Sequence, residues 1–378
     1  MDQQSFDNRA LKALSQLQRA GHKAWFVGGC VRDALCGKQF TDYDLATKAL
    51  PNEMLSIFNL FEIDKKAIKF GCLRINCEGL WLEITTLRQD FNQDGRHTEV
   101  IFTKDLALDA NRRDFTMNAL YWDGKELIDF FEGQSDLLKK NVRFIGNANL
   151  RVQEDHLRIL RFFRFTAIYA DQVDPIGIAA CEKYKEGLAY LSGTRVWSEW
   201  SKMLCKPNTA NVLAQISASE IDTTLFGVKL NLDNNYQGSD PLLLTRLHLP
   251  NMQIPHLVHR FSLSKKEGDW LKIADSLALN QDFRELYLEY GLSAHQLVYF
   301  WAAKFATSAS LELNKQFWQI SNPKFPLSGK DLLSCGIGHG PNVGRYLQNT
   351  KNWWIENNFV PTHNECLNYA KSLISSVN

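Results

Sequence analysis

The chain changes its periodicity near residue 150. Up to about residue 145, short apolar runs alternate with glycine turns and helical stretches. From Val152 onward strand signals nearly vanish. Helical spacing then runs to the C-terminus, punctuated at Asp174-Pro175, Asp240-Pro241, Leu249-Pro250 and Phe325-Pro326. This switch predicts an α+β fold class: a head of mixed strands and helices, then an all-helical remainder. The 378 residues exceed one ordinary core, so two or more domains are expected.

Within the head, Phe6, Ala10, Leu11, Leu14 and Leu17 space a helix over Ser5 to Ala20 that Gly21 stops. Ala24 to Val27 reads as a strand ending at Gly28-Gly29, Val31 to Leu35 as the start of a short helix, and Tyr43 to Thr47 as the next strand. Pro51 fits the first turn of a helix continued by Met54, Leu55, Phe58 and Leu60. Phe70 to Cys77 and Leu80 to Leu87 predict a hairpin around Glu78-Gly79. Tyr121 to Asp129 predicts another around Asp123-Gly124. Arg88 to His97 reads as a mobile loop, and Arg112 to Leu120 as a helix.

Hydrophobic content of 45% and charged content of 22% suit a globular protein. No apolar run reaches the roughly 18 residues of a membrane span, so no membrane partner is expected. The stretch Met1 to Asp7 lacks the basic-then-apolar form of a signal peptide and carries acids, so a cytoplasmic location is the expectation. Eight cysteines are spread without a C-x-x-C pair, which favours reduced thiols over structural zinc or a disulfide framework. A net charge of +1 mildly disfavours a nucleic-acid binder, but the middle of the chain is locally basic, and clustering matters more than the total.

Three constellations carry chemistry. In the first, Gly28-Gly29 and Arg32 precede Asp42-Tyr43-Asp44. Residues two apart on a strand share a face. Asp42 and Asp44 so placed would hold two Mg²⁺ through oxygen ligands. The glycine pair would admit a triphosphate, and Arg32 would neutralise part of its charge. One cation would activate a 3′ hydroxyl and the other would clamp the triphosphate. Glu83 has the parity of Trp81 and Thr85, which suits a third acid or an ordinary surface glutamate equally. The second constellation is Arg112-Arg113-Asp114 through Asn118. Tandem arginines at a helix start oppose the dipole unless an anion binds there too. In the third, Glu154-Asp155 precede Arg158, Arg161 and Arg164, a basic stripe at helical spacing backed by Ile159, Leu160, Phe162 and Phe163. Taken alone, that stripe equally fits a salt-bridged amphipathic helix.

These segments, with Asp94-Gly95-Arg96 and Asp129 to Gly133 plus Asp136, occur in an order that resembles the class II tRNA nucleotidyltransferases, the CCA-adding enzymes and bacterial poly(A) polymerases. The resemblance is dense from about residue 20 to 205. Phe325 to Leu332, Gly340-Pro341 and Gly344 resemble the end of bacterial CCA-adding chains. The resemblance implies a nucleotidyltransferase head over 1–145, a helical neck with the nucleotide-selecting motif over 146–215, and a tRNA-binding body and tail over 216–378. It implies that side chains select CTP and ATP. Gly29, Arg32 and Arg113 would hold the triphosphate, Asp155 and Arg158 would read the base, and Arg161 and Arg164 would support the nucleotide.

Cytosine and adenine each present an amino donor beside a ring-nitrogen acceptor, which a carboxylate and a guanidinium satisfy. Guanine and uracil present the reverse order and leave buried groups unpaired. The family's neck often carries Glu-Arg-x-x-x-Glu; here Thr194 replaces the first acid before Arg195 and Glu199, which bears on how the neck helix is braced. Partial-specificity relatives, CC-adding or A-adding, share this machinery; the full length of Arg88 to Arg113 favours complete CCA addition over CC addition, and a poly(A) polymerase would carry a basic extension. From another class, a catalytically silent RNA-binding protein would dispense with Asp42 and Asp44. Oligomeric state is open.

Overall fold

The computed structural model describes residues 3–91, 99–233, 239–277, 290, 294–305, 325–334, 341–357 and 359–375. Two compact units divide the chain: Met1–Leu230 with His259–Ser262, and Asn231–Val258 with Leu263–Asn378.

The first unit is built on a seven-stranded sheet in the order β3-β4-β5-β2-β1-β8-β9. Its strands are β1 (Ala24–Val27), β2 (Tyr43–Thr47), β3 (Glu62–Asp64), β4 (Cys72–Cys77), β5 (Leu80–Thr86), β8 (Leu120–Trp122) and β9 (Leu127–Asp129). Only β2 and β5 pair in parallel. Strand alternation sorts side chains to two cores. Phe26, Leu45, Leu82, Ile84 and Trp122 face one core, with α1 (Asn8–Arg19) and α3 (Pro51–Ile57) against it. Trp25, Val27, Ala46 and Tyr121 face the other, together with Leu106 and Ala110 of α4 (Leu106–Asn111). The hairpin turns fall at Glu78-Gly79 and at Gly124, with φ of 53°, 86° and 98°.

Three expectations for the head need correction. Helix α3 ends at Ile57, so Phe58 is its cap and the exposed Leu60 lies beyond it. Arg88 to His97 is not simply a loop, because β6 (Arg88–Phe91) pairs antiparallel with β7 (Glu99–Phe102). Asp94-Gly95-Arg96 lies outside the described residues. Nor is Arg112 to Leu120 a helix. Helix α4 ends at its cap Arg112, and Thr116–Asn118 forms only a 3₁₀ turn. The tandem arginines therefore sit at a helix C-terminus, where the dipole favours cations.

Beyond β9, every element among the described residues is helical. In the first unit these are α5 (Gly133–Leu138), α6 (Ala148–Glu154), α7 (Leu157–Tyr169), α8 (Pro175–Lys183), a 3₁₀ helix (Lys185–Tyr190), α9 (Gly193–Leu204), α10 (Thr209–Ala218) and α11 (Ile221–Phe226). Helix α7 packs on α9 and α10 and buries Ile159, Leu160, Phe162 and Phe163. In the second unit, Leu243, Leu247, Leu297, Phe300 and Trp301 form one core, and Leu332, Trp354, Ile355 and Cys366 belong to another. Among the described residues, no helix is long and apolar enough to cross a membrane. The described cysteines are free thiols, most of them buried.

Candidate active site

Gly28 closes β1 and caps α2 (Gly29–Leu35) at φ 72°, a left-handed value that glycine adopts without strain. A Cβ on Gly28 would lie 3.5 Å from Arg113 Nη1, and one on Gly29 3.7 Å from Arg32 Nη2. The bare backbone therefore faces two guanidinium groups, at the N-terminus of a helix.

Arg32 is almost fully buried. It donates to both Asp33 oxygens at 3.0 Å and to Asn118 Oδ1 at 2.7 Å. Asn118 Nδ2 donates in turn to Asp114 Oδ1 at 3.0 Å. Arg161 meets the other Asp114 oxygen at 2.6 Å. Glu199 of α9 lies 3.7 Å from Arg161 and 2.5 Å from Arg164. Alternating charges thus run from α2 to α9. Arg161 and Arg164 brace this network rather than forming an open basic stripe. Asn118 has both amide ends engaged within the protein.

Arg113 is held by Asp109 at 3.4 Å and by the Tyr121 hydroxyl at 3.0 Å. Asp109 is 1% exposed. It accepts from Tyr121 at 2.7 Å, Arg112 at 2.9 Å and the Arg88 amide at 3.2 Å. These cations and donors hold its carboxyl down at about 2 against the cost of burial. Sequence reading passed over Asp109, although its place four residues before Arg113 is a helical pairing distance.

Asp42 immediately precedes β2, and Asp44 lies within it; both are exposed. In the parallel register Asp44 stands beside Glu83 of β5. Solvent reaches the Asp44 carboxyl, yet the surrounding protein strips away enough water to push its pKa up to about 6. Repulsion from Glu83 adds to this, and Arg113 opposes it. Neither Asp42 nor Asp44 has an ion-pair partner among the described residues. Nor is any group of three His, Cys, Asp or Glu side chains there arranged to hold a metal alone. Two neighbouring carboxylates under mutual repulsion fit a hard cation that completes its shell with water and substrate phosphate. Glu83 adds negative field at this position.

The third constellation spans two helices, with Glu154 ending α6 and Arg158, Arg161 and Arg164 on α7. Asp155 is extended, at φ −154° and ψ 109°, and separates α6 from α7. Its Oδ1 accepts from Leu157 N at 3.0 Å, an Asx turn onto the first amide of α7 that favours the break between the two helices. Its Oδ2 pairs with Arg195 of α9 at 2.7 Å. Arg158 donates to the Arg151 carbonyl at 3.0 Å, to the Arg112 carbonyl at 3.2 Å and to Glu154. A cavity of about 450 Å³ is lined by Asp90, Arg112, Arg113, Asp114, Glu154, Asp155, Leu157, Arg158, Arg161 and Arg195. It joins the second and third constellations, and Arg113, which lines it, also lowers the pKa of Asp44 electrostatically. Asp90 carries no sequence signal for this cavity, Arg112 belongs to the second constellation, and Arg195 is marked in the sequence only for bracing. The Thr194 departure leaves α9 braced through Arg195 to Asp155 and through Glu199 to Arg161 and Arg164.

Residues 24–143 match the poly(A) polymerase head domain family. The chain is 32% identical to the human CCA tRNA nucleotidyltransferase 1, mitochondrial, over 97% of this chain and 91% of that protein. It is also 32% identical to a CCA-adding enzyme of Lactobacillus johnsonii, covering 92% of each. Its fold matches the Bacillus stearothermophilus CCA-adding enzyme solved with CTP, with a TM-score of 0.68 and 24% identity over 98% of both chains. A Thermotoga maritima CCA-adding enzyme solved with tRNA matches with a TM-score of 0.63 and 19% identity, over 100% of this chain and 97% of that one. Proteins of this family generally use a divalent metal. Near-complete coverage at this identity, on a fold that keeps the glycine turn and the carboxylate strand together, means that the chain belongs to the class II tRNA nucleotidyltransferases, the family of the CCA-adding enzymes.

Proposed function

We infer that this chain adds C, C and A to the 3′ end of tRNA without a nucleic-acid template, using CTP and ATP and releasing pyrophosphate. The observation that carries this reading is the donor and acceptor capacity left in the 450 Å³ cavity. Arg158 spends three N–H groups on Arg151, Arg112 and Glu154, which leaves two of the five a guanidinium has. Asp155 accepts once on each oxygen and keeps further lone pairs. A spare acceptor beside a spare donor suits the edge shared by cytosine and adenine.

Gly28 and Gly29 admit the triphosphate to the N-terminus of α2, with Arg32 and Arg113 supplying positive charge. Arg161 and Arg164 keep the cavity wall rigid through Asp114 and Glu199. Asp42 and Asp44 would hold the Mg²⁺, whose charge would lower the pKa of the attacking hydroxyl and neutralise the departing pyrophosphate. Residues 1–145 act as the catalytic head, 146–215 as the neck that selects the nucleotide, and 216–378 as the body and tail that bind tRNA. The reading includes a cytoplasmic site of action, while the animal relatives are mitochondrial proteins.

The test incubates the purified protein with tRNA lacking its last three nucleotides, Mg²⁺, and CTP, ATP or both. The expected products are two added residues with CTP alone and three with both. A stop at two with both nucleotides, or an unlimited run with ATP, assigns the chain to a CC-adding or poly(A)-adding relative instead.

A further inference from the structure

Tyr169 is the last residue of α7 and lies outside every motif described above. Its ring lies against the Arg32 guanidinium, with 4.4 Å from the guanidinium carbon to the ring centroid. Its hydroxyl donates to Asp33 Oδ1 at 2.5 Å, and Asp33 is the carboxylate that grips Arg32 from α2. The Lys38 ammonium lies 4.0 Å from the same ring centroid. Phe165, one turn earlier on α7, is 5.2 Å from Arg32. The ring is only half-buried and forms part of the wall of a cavity of about 820 Å³. Close packing alone therefore does not explain its place. Cations and a carboxylate hold it there.

The same helix presents Arg158 and Arg161 to the base cavity near its other end. Arg158 and Tyr169 are eleven residues apart, about 16 Å along a helix. One rigid element thus reaches both the base cavity and the arginine of the glycine turn. We propose that Tyr169 is a positioning residue: its ring face and hydroxyl fix Arg32 in the orientation that receives the nucleotide triphosphate, and through α7 they set its distance from the base cavity. This rests on the reading that Arg32 holds the triphosphate.

A residue acting in this way affects triphosphate binding equally for both substrates. Base choice stays with Asp155 and Arg158. The test measures kcat and KM for CTP and ATP, and competitive inhibition by inorganic tripolyphosphate, in the full chain with its tRNA substrate. The variants are Tyr169→Leu, Tyr169→Met, Tyr169→Phe and Arg32→Ala. Loss of a partly desolvated cation–π contact is worth roughly tenfold. Tyr169→Leu and Tyr169→Met are expected to raise KM for CTP and ATP by the same factor of about 10, and to weaken tripolyphosphate in parallel. Selection against UTP and GTP stays unchanged. Tyr169→Phe keeps the ring face and restores most of the affinity.

If Arg32→Ala raises KM and weakens tripolyphosphate while Tyr169→Leu and Tyr169→Met leave both unchanged, the proposal is overturned and the role of Arg32 survives. If Arg32→Ala itself leaves tripolyphosphate binding intact, the underlying reading fails. A change confined to base selection, or to tRNA affinity, also overturns the proposal. Tyr169→Met keeps bulk at the site, so it provides the measurement if Tyr169→Leu fails to fold.

Discussion

Replacing Asp109 with asparagine removes one buried negative charge while keeping the side chain's shape. In the folded protein this carboxyl is held at about 2, against an ordinary 3.8. At ~1.36 kcal/mol per pH unit, that gap makes the ionised form worth about 2 kcal/mol. The figure needs no discount for solvent, since Asp109 is 1% exposed. An asparagine amide would also set N–H groups against the Arg112 and Arg113 donors, so the full cost is no smaller. Because the folded value is depressed, the contribution is complete above about pH 4 and is lost as pH falls through about 2. Urea unfolding of wild type and Asp109→Asn, followed by circular dichroism, reads this directly. With a slope of about 3 kcal/mol per molar urea for a domain of this size, the variant's midpoint at pH 7 should fall by roughly 0.7 M. The deficit should shrink as the pH drops from 4 toward 2. Equal midpoints at pH 7, or a deficit of the same size at pH 2, would refute the assignment of this charge as the anchor of the tandem arginines. The folded variant should also show a raised KM for CTP and ATP, because Arg113 loses its carboxylate partner.

Further outcomes are expected at the catalytic face and in the base cavity. Asp42→Ala or Asp44→Ala should abolish nucleotide incorporation while tRNA binding, measured by filter retention, persists; turnover near wild type in either variant counts against cation anchoring. Asp155→Ala should relax selection against UTP and GTP in single-nucleotide incorporation, and unchanged fidelity there argues against base reading. Arg195→Ala frees one oxygen of Asp155 and should lower discrimination by a smaller factor, about 5-fold, as expected for a surface-accessible charged hydrogen bond of roughly 1 kcal/mol. A purely destabilising effect with intact discrimination would limit Arg195 to bracing α9.

The sequence by itself determined the features whose information lies within a few residues. Strand alternation placed Asp44 and Glu83 opposite their buried neighbours. Glycines with positive φ marked both hairpin turns, and the paired glycines marked the entry to α2. The change of period marked where strands give way to helices. The short helix lies before Arg112-Arg113 and not after it, a choice that apolar spacing on either side of a charged pair does not decide. Only the tertiary structure decided the partners. It set Asp44 beside Glu83 in the parallel register, gave Asp155 to Arg195, and brought Arg88 of β6 and Tyr121 of β8 to Asp109. It also brought Tyr169 to Arg32, 137 positions away in the chain. Such pairings depend on which surfaces are buried against each other, and no periodicity in one segment encodes the charge that a distant segment will present to it.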